Sequence, residues 1–128
     1  MVNLGICGDI FNGSFKRVEF PETLKISTYL YAICAGPFEF VESNLEGLPP
    51  MRIYARKGLL QYIVKDEMFL CTQKGMVFYK DLFGFEFPFS KYDQVFLPKH
   101  IYVAMENVGC VTFSEKRYIF DKQEASHA

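Results

Sequence analysis

Tryptophan is absent from this chain, histidine occurs only twice, and neither sign of charge dominates. Each shortage excludes something. The two histidines, His100 and His127, lie far apart, so no pair stands at i, i+4 to hold zinc on one helix face. Fourteen basic against fifteen acidic residues leave a net charge of −1 and no basic stripe, which argues against a nucleic-acid partner. The longest apolar run, Tyr29 to Ala35, falls far short of a membrane span. Met1 to Asp9 lack a basic start followed by an apolar stretch, so no signal peptide is read there. Four cysteines, Cys7, Cys34, Cys71 and Cys110, form no C-x-x-C pair and sit in apolar segments. They read as buried free thiols in a reducing compartment rather than as disulfides or a zinc cluster, and the expected setting is intracellular and cytoplasmic.

What is abundant is aromatic. Fourteen Phe and eight Tyr make up the whole of the 17% aromatic content of 128 residues. Each ring hides about 150–250 Å² when buried, so the rings either crowd one core or lie against something outside the chain. An apolar share of 50% with 23% charged residues describes a globular chain the size of a single domain.

The periodicities predict an α+β arrangement. Phe15 to Phe20 alternates as a short strand before the break at Pro21. Ile26 to Ala35 (ISTYLYAICA), rich in β-branched and aromatic residues, reads as a well-buried strand stopped by the Gly36-Pro37 turn. Phe38 to Val41, Met51 to Arg56, Tyr92 to Leu97, Val103 to Phe113 and Arg117 to Phe120 read as further strands. Between Leu59 and Phe83 the period lengthens. Polar residues recur at Asp66, Gln73 and Lys80, with Glu67, Lys74 and Asp81 beside them. Leu60, Val64, Met68, Cys71, Phe78 and Leu82 occupy the other side, which predicts one long helix. Gly84 is placed to end it in the left-handed conformation, and Gly75 predicts a bend or break. The tail from Asp121 to Ala128 is polar and reads as helical. Six or more strands grouped around one helix argue against alternating β/α units.

Four stretches together resemble one family. PETLKISTYLYAICAGPFEFVE, MRIYARKG and YKDLFGFEFPFSKYDQVFLP are followed by VAMENVGCVTFSE, which is similar to the Gly-Ala-Met-Glu-Asn motif of the zinc aminopeptidases (aminopeptidase N and the puromycin-sensitive aminopeptidase). The match runs from about Phe20 to Phe120. The resemblance implies the end of an N-terminal β-sandwich domain over residues 1–36. The β-rich start of a thermolysin-like catalytic domain, with its long helix, would follow over residues 37–128. It also implies that Ala104, Met105, Glu106 and Asn107 bind the substrate. Glu106 would hold the free α-amine of a peptide, since a carboxylate makes a charge-assisted contact with it that a blocked amine loses. The backbone of Ala104 and Met105 would run beside the peptide on an edge strand, with Met105 near the pocket for the first side chain. Taken alone, Glu106 is a solvated strand glutamate, Asn107 equally a turn or bulge residue, and Met105 equally core.

The chain departs from the family's pattern at three points. Val103 stands where the family has glycine, and a branched side chain there is expected to crowd the peptide or twist the strand. The zinc motif H-E-x-x-H is absent, with its base glutamate and the downstream tyrosine, so zinc belongs to the family and no cofactor is expected from these residues. Most of the upstream β-domain, with its further amine-holding side chain, is absent as well. His100 reads as a polar strand-end residue. Asp93, Asp121 and Glu124 form no catalytic carboxylate pair, and Ser90 and Ser126 lack a Ser/His/Asp context. Two readings follow. In one, the chain is the amine-binding segment of a zinc metallo-aminopeptidase, not catalytic alone. In the other, it is an inactive aminopeptidase-like remnant serving as a structural or interaction subunit. Both predict an exposed apolar face rich in Phe and Tyr that requires a protein partner.

Overall fold

The structure, a computed structural model, describes residues 22–119. They form a five-stranded mixed sheet with one main helix. In chain order the strands are β1 (Phe38–Ser43), β2 (Met51–Arg56), β3 (Tyr92–Leu97), β4 (Ala104–Met105) and β5 (Cys110–Ser114). Helix α1 (Lys65–Phe83) connects β2 to β3, and a single turn of helix, α2 (Glu115–Tyr118), follows β5. The spatial order is β1-β2-β3-β5-β4. Strands β2, β3 and β5 are mutually parallel, while β1 and β4 run antiparallel at the two edges.

The central strand explains the sequence of YDQVFL. With parallel neighbours on both sides and cover on both faces, β3 buries Asp93, Gln94, Val95 and Phe96 in succession. Its alternate residues feed two separate cores. Phe96 joins Met51, Ile53, Ala55, Ile63 and Phe69 under α1. Val95 joins Tyr54, Cys34 and Cys110 on the other face, which is covered by the chain around residues 32–34.

Helix α1 turns a different face inward from the one the sevenfold spacing predicts. Phe69 is buried, and Met68 and Met76 pack on the core. The predicted apolar residues Cys71, Phe78 and Leu82 are exposed, and Gln73 lies half-buried. The reason is polar pairing across the helix–sheet seam. Gln94 Nε2 donates to Thr72 Oγ1 at 3.0 Å, and Gln73 Nε2 donates to Ser43 Oγ at 3.1 Å. Buried polar groups are tolerated when paired, so the inward stripe includes them. The helix runs unbroken through Gly75 and ends at Gly84, whose φ of 65° is left-handed. The C-terminal half of α1 and the residue after its cap carry an exposed apolar surface, the rings of Phe78, Tyr79, Phe83 and Phe85 with Leu82 among them, and Phe83 is 71% accessible.

Three predicted strands take other forms. Ile26 to Ala35 is a short 3-10 helix, Thr28–Leu30, followed by irregular chain, and only Cys34 in it is buried. Its β-branched and aromatic composition fits a pleated surface only when a neighbouring strand is there to pair. Among the described residues this segment pairs through one bond, Val108 N–H to the Leu30 carbonyl at 3.2 Å. Val103 to Phe113 is not continuous but folds back on itself as β4 and β5. Of the predicted final strand, Arg117 to Phe120, Arg117 and Tyr118 lie in α2 instead, and Phe120 lies outside the described residues. The short strand at Phe15 to Phe20 and the tail from Asp121 lie outside the described residues.

Candidate functional site

The Ala104-Met105-Glu106-Asn107 segment occupies the free edge of the sheet. Ala104 and Met105 form β4, paired antiparallel to β5 with Ala104 opposite Phe113 and Met105 opposite Thr112. The Ser114 N–H donates to the Val103 carbonyl at 3.0 Å. Antiparallel ladders alternate, so if Val103 bonds inward, the N–H and C=O of Ala104 point away from β5 toward the open edge. These are the groups that an extended peptide could pair with.

Asn107 to Gly109 turn the chain from β4 into β5. Gly109 has φ 62°, a left-handed conformation that glycine adopts without steric cost. The Cys110 N–H closes the turn on the Asn107 carbonyl at 3.0 Å, and the Asp93 N–H reaches the Gly109 carbonyl at 3.1 Å. The side chains of the motif then part company. Glu106 is exposed, whereas Asn107 is buried at 6% accessibility. The Thr112 hydroxyl donates to Asn107 Oδ1 at 3.0 Å. On its other side Thr112 Oγ1 lies 2.8 Å from His100 Nε2, while His100 Nδ1 donates to the Tyr102 carbonyl at 2.7 Å. His100 is therefore more than a strand-end residue. It ties the loop before β4 to the turn after it, a role that its sequence context does not reveal.

This network fixes the base of the turn that presents Glu106. Replacing Thr112 with valine is expected to lower stability by about 1–3 kcal/mol, because Asn107 and His100 both lose a partner away from water. Thr112→Ser, which keeps the hydroxyl, should lose less than half of that. Urea denaturation of the two variants checks the difference.

An open depression of about 540 Å³ adjoins the motif, lined by Met105, Thr112, His100, Leu97, Cys34 and neighbouring loop residues. Beneath the turn, Lys91 pairs with Asp93. Burial nevertheless holds the Asp93 carboxyl above the usual carboxylate range, with the Lys91 ammonium opposing that rise. At the far end of the same strands, Arg56 grips Glu115 through two nitrogens at 2.9 and 2.8 Å, fastening β2 to the start of α2.

Among the described residues no cluster of three or more His, Cys, Asp or Glu could hold an ion. Both ring nitrogens of His100 are already engaged. Cys34 and Cys110 are buried free thiols as expected, but Cys71 is exposed, and Cys7 lies outside the described residues.

Comparison with known proteins decides the kinship. Residues 68–128 match the peptidase family M1 domain. Aminopeptidase N of Streptomyces lividans is 37% identical over 105 residues, 80% of this chain and 12% of that protein. Aminopeptidase M1-C of Oryza sativa subsp. japonica is 33% identical over 125 residues, 97% of this chain and 14% of its own length. The chain belongs to peptidase family M1, the zinc aminopeptidases. Aminopeptidase N of Rattus norvegicus aligns at 34% identity over 113 residues, again 12% of the relative. The chain thus spans about one-eighth of these M1 relatives. Family M1 is zinc-dependent, and the donor groups described here do not fit that ion. No helix among the described residues is long and apolar enough to cross a membrane.

Proposed function

We propose that this chain is the amine-recognising segment of a zinc metallo-aminopeptidase, which removes N-terminal residues from peptides, and that it is not catalytic by itself. The observation that carries this reading is the placement of Ala104 and Met105 on the free sheet edge, with Glu106 exposed next to them above a turn pinned through Asn107. An extended peptide would pair with the open backbone groups of Ala104 and set its charged amine against the Glu106 carboxylate. Met105, on the wall of the adjoining depression, would meet the first side chain. Residues 1–36 would close an N-terminal β-sandwich domain, and residues 37–128 would open a thermolysin-like catalytic domain. The free thiols of Cys34 and Cys110 support a reducing, cytoplasmic setting.

Zinc ligands and the catalytic base would come from polypeptide outside these residues. The exposed rings of Phe78, Tyr79, Phe83 and Phe85 supply a surface for that polypeptide to cover.

One observation favours a second reading, an inactive interaction subunit. Val103, half exposed beside Ala104, puts a branched side chain at the approach to the edge. The test is complementation. The chain is co-expressed with the Streptomyces relative lacking its own matching segment, and release of N-terminal residues is assayed on free-amine and N-acetylated peptides. Cleavage of the free-amine peptide alone is the expected result. A stable complex that cleaves neither, with Val103→Gly failing to restore turnover, would refute the enzymatic reading and leave the interaction subunit.

A further inference from the structure

Cys34 and Cys110 are 76 positions apart in sequence, yet their sulfurs lie 4.0 Å from one another. Both are buried, at 5% and 1% accessibility. Nothing in amine recognition uses either thiol. Cys110 is the first residue of β5, held rigidly by its backbone bond into the turn after Asn107. Cys34 lies in irregular chain between the 3-10 helix and β1, where a small shift disturbs no strand ladder. It also lines the open depression beside Met105, the side from which a small reagent would approach it. Cys110 is absent from that lining and sits behind it.

We propose that Cys34 and Cys110 form a peroxide-reactive dithiol, in which Cys34 reacts first and Cys110 resolves it into a disulfide. In the first step the Cys34 thiolate attacks one oxygen of hydrogen peroxide. The O–O bond breaks, sulfur is oxidised to a sulfenic acid, and hydroxide leaves to become water. In the second step the Cys110 sulfur displaces the sulfenic hydroxyl, forming the S–S bond and releasing a second water. Two thiols and one peroxide thus give one disulfide and two waters.

The order of attack follows from the surroundings. The hydrogen bond from Cys110 lowers the Cys34 thiol below its ordinary range, although burial opposes this. The same contact, together with burial, pushes the Cys110 thiol up. The thiolate is the nucleophile, so the residue that ionises more readily and faces the depression reacts first. Closing the bond needs the sulfurs to approach from 4.0 Å to about 2.05 Å, a shift of roughly 2 Å that the irregular chain at Cys34 can supply. The product would tie the residue 30–34 segment covalently to β5, beside the Val108–Leu30 backbone bond that joins the same segment to the turn before that strand. It would thereby pin the turn that carries Glu106.

The experiment uses the full chain with Cys7 and Cys71 replaced by serine, and it requires no peptidase activity. The folded protein is treated with hydrogen peroxide, alkylated and mapped by mass spectrometry. The expected product has lost two hydrogens, contains a Cys34–Cys110 cross-linked peptide, and is restored by dithiothreitol. Its unfolding midpoint should rise by about 10 °C, because the bond closes a long loop. In a Cys110→Ser variant, a sulfenic-acid-specific dione should label Cys34. Over-oxidation of either thiol without cross-linking, or dione labelling of Cys110 in a Cys34→Ser variant with none of Cys34 in the Cys110→Ser variant, would overturn the proposal. The first measurement needs no substitution at either thiol, so a misfolded variant does not shield the proposal from refutation.

Discussion

Replacing Glu106 with glutamine in the assembled enzyme is expected to lower kcat/KM on free-amine peptides by about 10- to 100-fold. The estimate rests on one lost charge-assisted hydrogen bond, worth roughly 1.5–3 kcal/mol, at about 1.4 kcal/mol per tenfold. Glutamine keeps the length and shape of the side chain, so the loss reports charge and not packing. The glutamate is exposed, and the turn beneath it is held by Asn107, Thr112 and His100 without its side chain. The unfolding free energy of the isolated chain should therefore change by less than about 0.5 kcal/mol. The decisive comparison is with an N-acetylated peptide, whose weak binding should be the same in Glu106 and Glu106→Gln enzymes. Equal losses on free and acetylated peptides would mean that Glu106 positions the strand and does not recognise the amine.

Where the motif lies could be read from the residues, but how its four members divide could not. The register of AMEN with STYLYA, IYAR and SKYDQVFLP pointed to an edge strand, and Ala104 and Met105 do form one. Asn107 was open between site residue and turn residue on sequence alone, and its side chain is spent inward on Thr112. The partners that matter, His100 and Thr112, are separated from it by seven and five positions, and only the folding back of β4 on β5 brings them together. A signal for that turn was present in the glycine two residues after Asn107, since a glycine interrupting an apolar run suggests a break in the strand.

The strands show the same division between local and tertiary information. Met51 to Arg56 and Tyr92 to Leu97 were legible to the residue, because each is bounded by turn residues and lies in the middle of the sheet. Ile26 to Ala35 carries an equally strong β composition and is not a strand in this structure. Composition reports whether a side chain suits a pleated surface, whereas a strand also needs a neighbour. For the helix, the C-terminal end was readable from Gly84, but its start at Lys65, after a separate 3-10 turn over Leu60–Tyr62, and its buried face were not. Thr72 and Gln73 face the sheet because Gln94 and Ser43 are there to meet them, which no period in the helix itself encodes.

The abundance of rings divides into two populations that respond oppositely to substitution, and Phe96→Ala is expected to be the most damaging single change. Phe96 is fully buried on the central strand, stacked on Phe113 with centroids 5.3 Å apart and met edge-on by Tyr118 at 6.1 Å. It also touches the cluster of Met51, Ile53 and Phe69 that joins α1 to the sheet. Truncation leaves a cavity bounded by ordered strands that cannot collapse into it, at a cost of about 3–5 kcal/mol. Domains of this size are stable by about 5–15 kcal/mol, so the variant should lose much of its cooperative transition. Phe83, by contrast, is 71% accessible near the end of α1 and stacks only on Tyr79, 5.7 Å away. Phe83→Ala should shift the isolated chain by less than about 0.5 kcal/mol, yet weaken its association with whatever polypeptide covers the helix. Urea midpoints for the two variants, with and without the complementing polypeptide, separate the roles. If Phe83→Ala were as destabilising as Phe96→Ala in the isolated chain, the aromatic surface of α1 would be part of this chain's own core and not a surface awaiting cover.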